Sequence, residues 1–532
     1  MSPLTAPLGL LGVACLAATS YAQSVVTDPV GFATSTALAN SDTYLSAPFT
    51  RPPSFAGAVQ STTANTLTIA GSPGWTPNQF VYVPVTQRNH YYVLIGGGGS
   101  SNPKEGRTYA VTANGANTLT VDTTMDNLTG ITANTQVVLV PHWTLGTLFP
   151  DADANVSFTP STSSAAYKTQ IRIPDDTATG INLPYLATYY YSNNIDGSPS
   201  NVGWRKIGDP NTVDHADDVL LPDSYFVVRN ANGAPGLPFT ALGSVLLKKF
   251  TVPLRTAASQ PQDNPVSILR PLDLTLNLSG LNPTDGSFVA NDQVLMFNNA
   301  VAGFDKQPSL VYYRDPASNF NWRLVGDNNL TDHGNDPIQL GTGFIVRKAA
   351  NGTGASVVWM NTFPVQAVSA VSRKTHGADV FDINLPLSGA PGIEPRSQGS
   401  GYQIVITFPT AVTFSNATIS SGTATVDNVV GSGTTQAIVT ISGATAQFVT
   451  VKLASVTDGV NTNDVAVTMG ILVGDGTLNG TVNSGDTIGT RSRSGQGTTA
   501  SSFQFDYNAD GFINSGDTLV ARTRAGNTLF PN

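Results

Sequence analysis

The sequence predicts a mainly β chain: duplicated antiparallel β-units, a β-sandwich and, at its C-terminal end, a small α-helical unit. Three observations carry this. Charged residues are only 11% of 532 positions, against about a quarter in ordinary soluble domains, while Thr, Ser, Asn, Gly and Val dominate, a composition that favours strands and turns. There are two glutamates, Glu105 and Glu394, so good surface-helix sequence is nearly absent. Several stretches recur at fixed offsets, the mark of duplicated units. The length allows three or four domains, each with its own core. The net charge of -9 and the lack of a basic stripe argue against nucleic acid as a partner, which requires clustered Lys and Arg.

Residues 1–22 read as a signal peptide. An apolar run from Leu8 to Ala18 precedes Ser20-Tyr21-Ala22, with small residues at -3 and -1 before Gln23. No Lys or Arg comes before the run, a departure that allows the true start to lie upstream. The run is too short to span a membrane and no later stretch qualifies, so no transmembrane segment is expected. Cys15, the only cysteine, would leave with the signal. The competing reading is a lipid-modified Cys15, for which Gly12-Val13-Ala14 is a poor lipobox. A secreted or cell-surface chain without disulfides is the expectation.

Residues 23–150 read as a β-rich module of short alternating runs separated by Gly, Pro and Asn. A weak repeat sets Ala58-Val59, Asn65-Thr-Leu-Thr-Ile69 and Gln79-Phe-Val-Tyr-Val-Pro84 against Ala110-Val111, Asn117-Thr-Leu-Thr-Val121 and Gln136-Val-Val-Leu-Val-Pro141. Each copy is expected to be a small strand-turn-strand unit packed on its twin. Gly96 to Pro103, between them, has no Lys-Ser/Thr and no following helix, and reads as a flexible hairpin tip rather than a phosphate loop.

Residues 151–370 hold a stronger repeat at an offset of 118. Trp204-Arg205, Gly208-Asp209, Asp214-His215, Asp218 and Phe226 to Arg229 recur as Trp322-Arg323, Gly326-Asp327, Asp332-His333, Asp336 and Phe344 to Arg347. Tyrosine-rich strands precede both copies, and the aromatic positions read as core and cross-strand pairs. A His between carboxylates has the chemistry of a metal ligand or base. Its placement in a turn, twice over and with no second His nearby, favours a turn held by Asp side chains bonding to backbone amides.

Residues 371–472 carry strands every ten to twenty residues, at Val380 to Leu385, Tyr402 to Phe408, Ala411 to Phe414, Ala437 to Ile441 and Phe448 to Leu453, which predicts a β-sandwich. It runs into Gly474-Asp475 with no linker, so the two parts should be rigidly coupled.

Residues 473–532 write one pattern twice, thirty-one residues apart: Asp475 to Asp486 and Asp506 to Asp517. Oxygen donors fall at positions 1, 3, 5, 9 and 12 with Gly at 6, the spacing that wraps a loop around a hard cation, so two calcium ions are expected. The ligands would be Asp506, Asn508, Asp510, the Phe512 carbonyl, Asn514 and Asp517, and in the other loop Asp475, Thr477, Asn479, the Thr481 carbonyl, Asn483 and Asp486. Fewer carboxylates make the first loop the weaker site. A short helix stopped by Gly495 or Gly526 is expected after each loop.

Two such loop-helix units near a C-terminus resemble the type I dockerin over about 55 residues, where position 12 is Asp and Gly474-Asp475 opens the first loop; the resemblance implies that the two copies are related by a pseudo-twofold. The resemblance implies docking to a cohesin-like protein or a cell-surface component, with contacts from loop positions 10 and 11 and the following helix. Those are Ser484, Gly485 and Arg491, mirrored by Ser515, Gly516 and Arg522. The N-terminal part, with Thr27-Asp28-Pro-Val-Gly-Phe32 and Ala47-Pro-Phe-Thr-Arg-Pro-Pro53, resembles an uncharacterised family of secreted bacterial β-proteins. The opening of the sandwich, Ser372-Arg-Lys-Thr-His-Gly377 with Phe381 to Leu387, resembles an unnamed β-module that directly precedes dockerin-like ends.

Dockerins are also appended to glycoside hydrolases, so an enzyme acting on polysaccharide is one alternative. Such chemistry requires two carboxylates about 5 to 10 Å apart, and Glu105 and Glu394 lie in different modules. No Gly-x-Ser-x-Gly, His-Glu-x-x-His or cysteine nucleophile is present. A self-assembling surface-layer or filament protein is a second alternative, given the Thr/Asn/Gly-rich composition. The expectation is a secreted, non-catalytic β-rich protein that docks through its C-terminal calcium loops.

Overall fold

The computed structural model describes residues 29–98, 102–150, 158–197, 201–283, 285–318, 320–361, 364–387, 389–397, 399, 401–459 and 461–529. The expected signal peptide at 1–22 and Cys15 lie outside the described residues, as does the middle of the Gly96 to Pro103 tip. The described chain is mainly β, with three α-helices among the described residues: α1 (Leu145–Leu148), α2 (Ser484–Arg491) and α3 (Ser515–Thr523). No helix among the described residues is long and apolar enough to cross a membrane.

The offset of 118 corresponds to two copies of one β-unit. In the first copy five strands lie side by side in the order Val202–Lys206, Tyr185–Asn193, Thr169–Pro174, Phe226–Asn230, Ser41–Leu45. In the second the order is Asn321–Leu324, Leu310–Asp315, Gln293–Met296, Gly343–Lys348, Gln262–Ser267. A two-stranded ribbon accompanies each sheet, Val30–Ala37 with Leu237–Ser244 and Phe250–Leu254 with Val357–Asn361. Trp204 and Trp322 are buried at equivalent core positions beside Phe226 and Phe344, as expected of aromatic residues whose large apolar area drives packing.

The boundary expected at 150/151 is crossed by backbone pairing. Ser41–Leu45 is the edge strand of the first sheet, and Trp143–Thr144 pairs with Val219–Leu220. Residues 30–50 and 143–148 thus belong to the first β-unit, and the strands between them form an insertion. The repeat hides this because Ser41–Leu45 shares with Gln262–Ser267 only its second residue, Asp42 or Asp263. Each of these carboxylates is buried and takes a two-pronged contact from the matching guanidinium, Arg229 or Arg347.

The insertion is a closed six-stranded barrel in the order Phe55–Thr62, Thr66–Ile69, Thr118–Val121, Thr108–Asn114, Tyr91–Ile95, Gln136–Pro141. The two halves of the weak repeat meet where Leu67 faces Leu119, flanked by the crossed pairs Thr66 with Thr120 and Thr68 with Thr118. The expected third element, residues 79–84, is turn and irregular backbone in the first copy. Its place beside Gln136–Pro141 is taken by Tyr91–Ile95, which lies further along the chain. That strand is buried throughout: Val93 and Ile95 fill the barrel, while Tyr92 and Leu94 pack on Phe250 and Val252 of the second unit. A strand buried on both faces reads as a continuous apolar run.

The two β-units hold each other reciprocally. Asp42 N–H donates to Gly303 O and Asp263 N–H to Gly180 O, both at 2.8 Å. Asp305 N–H donates to Asp42 Oδ2 at 2.7 Å, and Asn182 N–H to Asp263 Oδ2 at 2.8 Å. Each sheet's edge strand is thereby covered by a loop of the other unit, which removes two open edges.

Residues 369–471 form the expected sandwich. A five-stranded sheet (Asp379–Asn384, Ser369–His376, Tyr402–Val412, Thr434–Ser442, Thr425–Val430) shares one core with a four-stranded sheet (Gly392–Glu394, Thr462–Ile471, Gln447–Thr457, Asn416–Ser421). Ala411 to Phe414 is not a strand of its own; its first residues end Tyr402–Val412 beyond a register shift after Thr407. The C-terminal unit packs directly on the sandwich. Ser397 N–H donates to Tyr507 O at 2.7 Å, and Phe381 stacks on Phe503 with centroids 4.9 Å apart.

Candidate metal centre

Both C-terminal loops fold alike. The N-cap of α2 is Asn483 and that of α3 is Asn514, each accepting at 2.7 Å from the N–H two residues on, Gly485 or Gly516. Each is part of a capping box: Asp486 accepts from Asn483 N–H at 2.8 Å and Asp517 from Asn514 N–H at 3.0 Å. The helices therefore begin inside the loops, at position 10, three residues before the expected start at Thr487 and Thr518. They also end before Gly495 and Gly526, whose positive φ angles of 88° and 98° turn the chain back. There the copies interlock, Gly495 N–H donating to Ile513 O and Gly526 N–H to Val482 O, both at 2.8 Å.

The position-1 and position-12 carboxylates, Asp475 with Asp486 and Asp506 with Asp517, are all 0% exposed. Asp475 accepts from Gly480 N–H at 2.7 Å and Asn479 N–H at 3.1 Å. Asp506 accepts from Gly511 N–H at 2.8 Å and Asp510 N–H at 3.2 Å. Asp486 accepts from Thr477 N–H, and Asp517 from Tyr507 N–H and Asn508 N–H. Gly480 and Gly511 hold positive φ of 83° and 94°, and Leu478 and Ala509, at position 4, hold 58° and 59°. A left-handed non-glycine residue costs about 1–3 kcal/mol, and here the cost falls at the same place in both loops.

The remaining expected ligands divide. Thr477 Oγ1 donates to Asp486 Oδ1 at 2.8 Å, which places it between the carboxylates. Asn479 Oδ1 and Asp510 Oδ1 accept from Thr481 N–H and Phe512 N–H in Asx turns. Asn508 Nδ2 donates to Asp510 Oδ2 at 2.8 Å. The oxygens of Asn483 and Asn514 are committed to the helix caps, and their amides reach the Thr481 and Phe512 carbonyls instead. These two residues are better placed to shape the loop than to contact an ion directly.

Among the described residues, no group of three or more His, Cys, Asp or Glu side chains is gathered so as to hold a metal ion. Each loop instead offers two buried carboxylates with neutral oxygens around them. Burial raises the Asp475 pKa against the N–H donors, and facing Asp486 adds to the rise. Burial raises Asp517 in the same way, with Asp506 as the adjacent charge. A cation between the two carboxylates would reverse both penalties, and calcium accepts six to eight oxygens of mixed kind. The donor set fits that ion.

Ser484, Gly485, Arg491, Ser515, Gly516 and Arg522 are all exposed. Arg491, Ser515 and Arg522 line a shallow cleft between α2 and α3 together with Thr487, Thr518 and Leu519. Two apolar side chains that the spacing argument passed over stand on the same helices: Ile488 is 66% and Leu519 59% exposed. They are thirty-one residues apart, so the loop repeat would have found them.

The Asp-His-x-x-Asp turns form one network twice. His215 Nδ1 lies 2.9 Å from Asp218 Oδ2, which accepts from Tyr189 OH at 2.7 Å. His333 Nδ1 lies 2.8 Å from Asp336 Oδ2, which accepts from Tyr312 OH at 2.9 Å. Asp214 and Asp332 accept from the Ala216 and Gly334 amides, as expected of turn residues. Glu394 is fully buried against Arg396, and Glu105 pairs with Lys249 in another part of the chain.

Comparison with protein-family models, with curated proteins and with solved structures found no match to the chain.

Proposed function

We propose that the chain is a secreted, non-catalytic β-rich protein whose dockerin-like C-terminal unit takes up two calcium ions and docks to a cohesin-like partner or a cell-surface component. The observation that carries this is the repeated geometry: two buried carboxylates per loop, each loop opening directly into a capped helix with exposed Ile488 or Leu519 beside Arg491 or Arg522. Calcium would supply positive charge where each carboxylate pair is held out of water. Asp475, Thr477 and Asp486 would hold it in the first loop, and Asp506 and Asp517 in the second. The chain's own contribution is orientation. The position-12 carboxylate also closes the capping box, so the residue that would meet the ion also sets the first turn of the helix. The test is a pull-down from the source culture with the full chain. Capture should require calcium and be lost in Ile488→Asp with Leu519→Asp; capture that is unchanged in chelator contradicts the reading.

Self-assembly is a second reading, favoured by an apolar strip on the first ribbon, where Val30, Phe32 and Leu242 are largely exposed and Phe32 faces Leu242 across the strands. Calcium-dependent polymers of the purified chain alone would support it.

A further inference from the structure

The second loop is served by a donor that the loop does not contain. His376, at the end of the sandwich strand Ser369–His376, is 1% exposed and places Nδ1 2.8 Å from Asp506 Oδ2. Its other ring nitrogen, Nε2, lies 3.1 Å from a terminal guanidinium nitrogen of Arg396. A guanidinium only donates, so Nε2 accepts, and the ring proton sits on Nδ1 aimed at Asp506. Arg396 is held by Glu394 through Nε and a terminal nitrogen, both at 2.7 Å, and Ser372 Oγ donates to Glu394. Ser372, Glu394, Arg396 and Asp506 are all 0% exposed. The result is one buried line of hydrogen bonds from a sandwich strand to the first carboxylate of the second loop.

That line leaves the two loops unequal. Asp506 Oδ2 receives both the Gly511 amide and His376, so it is fully occupied, while Oδ1 keeps a single long contact of 3.2 Å from Asp510. In the first loop Asp475 Oδ2 receives the Gly480 amide alone among the contacts described for it. The nearest sandwich group over Gly480 is the Ile393 side chain, which has no donor. A donor on the outer oxygen of a ligating carboxylate fixes its orientation, and loss of such a partner typically costs 10–100-fold in metal affinity.

We infer that His376 is a positioning residue for the second cation loop, held in the required tautomer by Arg396 and Glu394, so that the sandwich sets the calcium affinity of Asp506 to Asp517 but not of Asp475 to Asp486. This rests on the reading of the loops as calcium sites. Reciprocity follows from linkage: if the junction strengthens calcium binding, calcium strengthens the junction by the same factor. The orientation of α2 and α3 relative to the sandwich then becomes dependent on calcium.

The test is calorimetric titration of the full chain with calcium after removal of bound ions. The wild type should bind two ions. His376→Ala should weaken one site by about tenfold or more and leave the other unchanged, and His376→Asn, which keeps an amide donor near the Nδ1 position, should restore most of the loss. In an Asp506→Asn background His376→Ala should have no further effect. The wild type alone provides a second measurement: calcium should slow hydrogen exchange at residues 372–376 and 394–397. Two unaltered sites in His376→Ala, equal weakening of both sites without rescue by Asn, or exchange at the sandwich residues that ignores calcium would each overturn the inference. A wild-type chain that binds no calcium overturns the calcium reading itself and this inference with it, an outcome distinct from the others.

Discussion

Replacing Asp506 with Asn separates two opposing costs held in the second loop. Asp506 and Asp517 are both fully buried, and burial together with the Asp506 charge holds Asp517 above the usual carboxylate range. Without an ion, Asp506→Asn removes one of two facing charges, which favours the folded loop. It also leaves one side-chain oxygen where Asp510, Gly511 and His376 present three donors. A buried donor left unmet costs about 1–3 kcal/mol. The two effects oppose each other, so in chelator the net change should be within about 1 kcal/mol of zero. With calcium at about a hundred times its dissociation constant, each occupied site adds about 2.7 kcal/mol, and the variant loses that share at the second loop. Native-state hydrogen exchange reads it directly at Tyr507, Gly511 and Asn514, whose amides donate to the two carboxylates. Wild-type exchange should slow about 100-fold on adding calcium and the variant's should hardly change. A variant already destabilised by more than about 3 kcal/mol in chelator, beside a wild type indifferent to calcium, would show that Asp506 merely organises the loop.

Three further outcomes follow from the geometry. Gly343→Ala should destabilise the joint between the two β-units by about 1–3 kcal/mol, read by denaturant unfolding, because a Cβ there would lie 2.2 Å from the Tyr225 Cβ. Asn514→Ala should cost α3 about 1 kcal/mol, seen as faster exchange in its first turn, since it removes the acceptor of Gly516 N–H. For pH dependence, burial works against a charge on His333, but hydrogen bonds to Asp336 and Asp327 outweigh it and raise its pKa above 6.5. Asp327 is lowered to about 2 by the Asn329 and Thr331 amides. The His333 contribution is complete below the unfolded value and is lost as pH rises through the folded one; the Asp327 contribution is present above the unfolded carboxylate value and is lost as pH falls through about 2. Thermal stability of the second unit should therefore fall as pH rises above 6.5, the ordinary imidazole value, and His333→Asn should flatten that slope.

How much of this was legible varied with the range of the contacts. The duplication at 118 was readable because Trp204 and Trp322, the Gly-Asp turns and the His turns keep their residue types where packing and turn geometry demand them. The barrel was not readable as an insertion, since the strand that reveals it, Ser41–Leu45, matches its twin through a single aspartate whose partner, Arg229, lies 187 positions away. Tyr91–Ile95 is hidden for a different reason: buried on both faces, it lacks the alternation that marks a half-exposed strand. The cation loops were legible as spacing, but the same Asn that fits position 9 also caps a helix, and the spacing cannot say which task its oxygen performs. His376 gave no signal at all, because its contact to Asp506 spans 130 positions and exists only once the sandwich has folded.

Whether the two loops are calcium sites is decided by the number of calcium ions bound by the intact chain, counted by calorimetric titration from the ion-free state and repeated in Asp475→Ala and Asp506→Ala. The wild type should bind two ions, with the Asp506 to Asp517 site the tighter, and each variant should keep one. An intact, folded chain that binds none, or that binds two after either aspartate is removed, would contradict the calcium reading.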